Sequence, residues 1–189
     1  MSGHGFHVHG PHDHEIEHAA HSNDMFSSKI AVMTAIMATV GALLGYEGGA
    51  TQNQAAMLKN SASIKKTEAA NQWSYYQSKS SKQNLAELAM VIPGIDPEKY
   101  QTEVTRYKTE KEQIKKEAEA LEKQVVELEE ASEAALHQHH RWAQAMTAVQ
   151  IAISLAAIAL LTKKSWLEYA SYGVAATGVG IAALAWLHI

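Results

Sequence analysis

IAVMTAIMATVGALLGY, residues 30–46, runs without a charge between Lys29 and Glu47. As a helix it reaches about 25 Å, close to the shortest length that crosses a hydrocarbon core of about 30 Å. A buried core helix or a cleaved signal peptide would carry similar residues. A signal peptide, however, opens on a basic segment, and the segment before Lys29 is acidic and rich in His. A retained transmembrane helix over residues 29–46 is the expectation.

Two more apolar runs follow, at 143–162 and 166–189, joined by the polar turn 163–165 of Lys163, Lys164 and Ser165. The slightly negative mean hydropathy of the chain hides these blocks, because a window and not an average detects spans. The fold class expected is all-α: an integral membrane protein with three transmembrane helices. The chain has no Cys, so disulfides and thiolate sites are excluded. A net charge of −4 with both signs interspersed gives no nucleic-acid surface.

Between the first two runs lies a polar stretch, residues 47–142, with one clear breaker, PGIDP at 93–97. Two prolines around a glycine end a helix and allow a turn. Asp96 is placed to cap a new helix with Pro97 in its first position. About 44 residues lie on each side of the turn, or about 66 Å of helix. Equal arms around a central break predict a long antiparallel, coiled-coil-like hairpin between the first and second spans. The returning arm has a heptad seam: Tyr100, Val104, Tyr107, Lys111, Ile114, Ala118, Leu121, Val125, Leu128, Ser132 and Ala135. On the outgoing arm, Met57, Ile64, Trp73, Tyr76, Leu85, Leu88 and Ile92 are the expected contacts. So polar a seam would be marginal as an isolated pair, which suggests a homo-oligomer. Trp73, Tyr75 and Tyr76 are candidates for partner or inter-arm contact, although aromatics at helical spacing are commonly plain packing.

Small residues let helices approach closely in lipid. Gly41 and Gly45 form a GxxxG; Ala148, Ala152 and Ala156 recur every four residues; Gly173, Thr177 and Gly180 mark the last run. These are the expected packing or oligomer faces. The span interiors lack Lys, Arg, Asp and Glu, which argues against an ion relay. Gln150 and Ser154 suit interhelical hydrogen bonds or, less readily, a pore lining. Trp142, Trp166, Tyr169, Tyr172 and Trp186 fall near the expected interfaces, where amphipathic rings are favoured. Lys29, Lys163 and Lys164 flank spans on one side and Arg141 on the other, which weakly favours a cytoplasmic N-terminus.

The His-rich segment 1–28 contains His4, His7, His9, His12, His14, His18 and His21. On a helix His14, His18 and His21 share a face, with Glu17 close by, a set able to chelate Zn, Cu, Ni or Co. The plain alternative is a solvated tail that binds nothing. His137, His139 and His140 form a second cluster, suited to metal, to pH sensing or to a polar interfacial collar. No nucleophile elbow, phosphate loop or HExxH is present, so no enzyme is expected.

Three segments carry a resemblance: EIEHAAH (15–21), NQWSYYQSKS (71–80) and HQHHRWAQAMTAVQIAISLAAIALLTKKSWL (137–167). In these the chain resembles an uncharacterised bacterial membrane family, domain of unknown function 4337, over all but about the first dozen residues. The resemblance implies a three-span layout and a bacterial inner-membrane location, and it implies no activity. The extension from His4 to His14 is more elaborate than the family pattern requires. The leading reading is a non-enzymatic scaffold or accessory subunit that associates with itself and offers the hairpin to a protein partner. The alternative is a metal-handling transport component or sensor using the N-terminal histidines. A small channel is a third and weaker reading.

Overall fold

The computed structural model describes residues 25–187, and every element among them is helical. Helix α1 is Met25–Ala89, α2 is Pro97–Thr162 and α3 is Ser165–Trp186. The break between α1 and α2 falls where the prolines require it. Gly94 has φ +88°, a left-handed conformation that costs glycine little. Asp96 Oδ1 accepts the backbone N–H of Glu98 at 3.0 Å, ahead of Pro97 in the first position of α2. The α2–α3 turn is tighter, and Lys163 takes φ +54° there.

α1 and α2 each contain a stretch long and apolar enough to cross a membrane. α3 is not one of them among the described residues. Glu168, Ser171, Tyr172, Gly173 and Thr177 dilute its apolar content.

The chain divides into two compact units, residues 1–52 with 136–189, and residues 53–135. In the first unit α1 buries Ser27, Ile30, Thr34, Met37, Gly41, Leu44, Gly48 and Thr51, at alternating spacings of three and four. α2 contributes Trp142, Val149 and four alanines, Ala145, Ala152, Ala156 and Ala159, each alanine fully buried. α3 contributes Leu167, Ser171, Gly178 and Ala185. Large apolar side chains such as Val32, Ile36, Leu43, Ile151 and Leu161 point outward.

The small residues set the distance between helices. A Cβ built on Gly178 would lie 3.1 Å from the Ala145 carbonyl oxygen and 3.2 Å from Ala148 Cβ, tighter than ordinary contact, so a side chain there would push the neighbouring helix away by a few tenths of an ångström. Seven residues earlier, Ser171 Oγ donates to the Ala152 carbonyl at 2.7 Å. Gly41 and Gly45 face Val149 and Met146 with ordinary contact distances.

In the second unit the residues 53–89 of α1 lie along 97–135 of α2, with contacts in reversed order. Ser132 Oγ donates to the Ala55 carbonyl at 2.9 Å, Lys59 pairs with Glu129 at 3.1 Å, and Lys79 pairs with Glu110 at 2.5 Å. On α2 every position of the heptad seam read from the sequence is buried or half-buried.

On α1 the expected contacts need correction. Met57, Ile64, Leu85 and Leu88, and Ile92 just past the helix, are exposed, and Ala55, Ala62, Ala69, Gln83 and Ala86 are buried in their place. Bulk misleads at this point, because closely approaching helices exclude large side chains from the seam and turn them outward. Trp73 and Tyr76 alone of the expected set are half-buried.

Candidate functional site

The middle of the second unit holds a cluster of rings and charges that a plain heptad pair does not need. The polar residues Lys79 and Lys111 occupy seam positions on α1 and α2. An ammonium drawn partly out of water is stabilised by partners, and both half-buried lysines have several. Lys79 pairs with Glu110 and lies 5.2 Å from the Tyr75 ring centroid and 5.6 Å from that of Tyr107. Lys111 lies 4.9 Å from the Tyr76 ring and donates to Gln83 Oε1 at 3.2 Å. Arg106 also lies over the Tyr107 ring, 5.0 Å from its centroid. Trp73 meets Tyr76 edge to face at 5.6 Å, and its indole N–H donates to Glu122 at 2.8 Å.

The hydrogen bond from Lys79 holds the Glu110 carboxyl below its ordinary range. The same bond, with a second to Tyr75, raises Lys79 above the ordinary lysine value. Of the three aromatic candidates, Trp73 and Tyr76 therefore bridge the two helices, while the exposed Tyr75 ring flanks Lys79. Charged groups at seam positions favour one register over others.

The first unit has a polar group towards each end. His139 Nδ1 lies 2.7 Å from the Gly48 carbonyl oxygen, so that nitrogen carries the proton and donates. His139 and His140 have ring centroids 5.6 Å apart, and His137 and His140 are exposed. The three histidines do not converge, and no group of three potential ligands is gathered among the described residues. At the other end Glu168, 4% exposed, meets Lys29 Nζ at 2.7 Å, and Lys29 lies 5.8 Å from the Tyr172 ring. Lys163 Nζ donates to Ser27 Oγ at 3.1 Å. A groove of about 420 Å³ opens beside Lys29 and is lined by Val32, Met33, Ile36, Met37 and Tyr172.

Residues 26–188 match the family model described as Domain of unknown function (DUF4337). The chain belongs to this family. No curated protein and no solved structure matches it.

The remaining expected sites of this DUF4337 chain fall into three groups. His14, Glu17, His18 and His21, with the rest of the His-rich tract, lie outside the described residues. Gly41, Gly45, Ala148, Ala152 and Ala156 pack within the chain. Gly173, Thr177 and Gly180 face outward, and Gly178 makes the close contact instead. Ser154 is exposed and bonds back to the Gln150 carbonyl of its own helix. Trp142 is buried within the chain, whereas Trp166, Tyr169 and Trp186 are outward. Glu168 escapes a reading confined to span interiors. A lone carboxylate beside an apolar run, with a lysine flanking another run, is the signal that points to it.

Proposed function

We propose that this chain is a non-enzymatic membrane scaffold or accessory subunit. In this reading it spans a bacterial inner membrane three times, with the N-terminus and the Lys163–Lys164 turn on the cytoplasmic side. Residues 47–142 form a hairpin on the opposite side, self-associate, and present a polar surface to a protein partner.

One observation carries the proposal. α1 and α2 each join a membrane-length apolar stretch to a long paired polar segment in a single unbroken helix. Such helices suit display and assembly. The ring-and-charge cluster around Lys79 and Lys111 supports a defined pairing of the arms, as a scaffold requires.

The chain has no Cys, so single cysteines report its topology directly. Lys99→Cys and Lys164→Cys are expected to react with a membrane-impermeant maleimide from opposite faces of the membrane. Labelling from the same face would sink the three-span layout. Native mass spectrometry of the untagged protein is expected to give a discrete oligomer, and a bare monomer would remove the self-associating scaffold.

A further inference from the structure

Within the second unit, α1 carries an exposed face unlike any on α2. From Asn53 to Leu88, the positions spaced alternately by four and three are all exposed and none is charged. Met57, Ile64, Asn71, Ser78 and Leu85 follow at intervals of seven, and Asn, Thr and Ser fill the positions between them. Every seven-residue row on the exposed faces of α2 over the same unit includes Lys, Arg or Glu. A helix face meant only for water carries charged or polar residues, whereas this one, opposite the Ala55, Ala62 and Ala69 seam, exposes Met57, Ile64, Leu85 and Leu88 among its Asn, Thr and Ser.

The row is suited to meet itself. About a two-fold axis each residue near the axis faces its own copy, so a charged row would oppose like charges and an uncharged one does not. Thr67, Ser74 and Ser81 already donate to carbonyls of their own helix at 3.0, 2.9 and 3.1 Å. Their burial would strand no hydroxyl proton. The Asn71 amide has both donor and acceptor and can pair with a second Asn71. A period of seven matches a left-handed supercoil, in which one central Asn sets register.

We propose that this face is the contact with a second copy of the chain, two α1 helices packed in parallel with Asn71 opposite Asn71. The parallel direction rests on the membrane reading, since copies inserted the same way share a direction.

Single-cysteine variants of the full chain, oxidised mildly in membranes, test it. Met57→Cys, Asn71→Cys and Leu85→Cys are each expected to form a covalent dimer, about tenfold above Glu127→Cys on an exposed charged row of α2. Yields equal to that control would overturn the contact. Cross-linking of Met57→Cys only when mixed with Leu85→Cys would also overturn it, because an antiparallel pair centred on Asn71 joins those two positions. Asn71→Lys, at a position exposed in the single chain, is expected to cut the Met57→Cys yield about tenfold, whereas Asn71→Gln keeps it. An unchanged yield in the lysine variant would count against the proposal. Alkaline carbonate washing of the same membranes separates the two readings. Loss of the protein to the wash with dimers intact would remove the membrane reading and leave the contact. Retention without dimers would do the reverse.

Discussion

The two units pack their interiors in the same way and differ in their outside. Both pack on small residues at a seven-residue period, Gly41, Gly48 and Ala152 in one and Ala55, Ala62 and Ala118 in the other. Outward, the first unit shows Val32, Ile36, Leu43 and Leu161, and the second shows mainly Lys, Glu, Ser and Asn. The interior is set by how closely helices approach, and the outside by the surrounding medium. Close approach of small faces works in lipid and in water, because it depends on dispersion contacts that neither solvent replaces.

The contrast breaks most sharply at outward positions. Leu43→Arg is expected to oppose membrane insertion by about 3 kcal/mol, while Met57→Arg in the second unit leaves insertion unchanged. Membrane fractionation with a glycosylation or protease reporter measures both. Equal behaviour of the two variants would erase the distinction between the outer faces.

Inside the first unit, Gly178→Leu is expected to destabilise by about 2 kcal/mol through overpacking against the Ala145 carbonyl, and Gly180→Leu to be near neutral. Thermal unfolding in detergent compares them. A cost at position 180 equal to that at 178 would place a helix contact on the outward face of α3.

Smaller effects belong to the second unit. Trp73→Phe keeps an aromatic side chain but loses the N–H donated to Glu122, and about 0.5 kcal/mol is expected for a bond that solvent reaches. Chemical denaturation of the full chain is the measurement. The Lys79–Glu110 pair gives the mildest signal. Glu110 has a depressed folded value, so its contribution is present above the unfolded carboxyl value and is lost as pH falls through the folded one. Lys79 has a raised folded value, so its contribution is present below the unfolded lysine value and is lost as pH rises through the folded one. The native protein and a Glu110→Gln variant should therefore differ in urea stability near neutral pH and converge in acid. A difference that persists in acid would assign the effect elsewhere.

Much of this was legible in the order of residues. The apolar runs, the break at Pro93–Pro97, the Asp96 cap and the α2 seam follow from local chemistry, namely hydropathy, missing N–H groups and period. Family membership was legible too, from three segments in order. The α1 seam was not, because Ala carries almost no signal on its own, while Met57, Ile64 and Leu85 attract attention by size. Nor was the choice of Gly178 over Gly173 and Gly180, since all three are glycines on one helix and differ only in what faces them.

The sequence by itself determined that the described residues are helical, where their helices end, and that α1 and α2 each hold a stretch apolar enough for a membrane. Those properties are set within a few residues of backbone and solvent preference. Only the tertiary structure decided which faces of α1 and α3 are inside. It buried Glu168 against Lys29 and turned His139 to the Gly48 carbonyl, and it left one uncharged face of α1 open. Each of these depends on which distant residue arrives opposite, and packing between helices, not local preference, determines that.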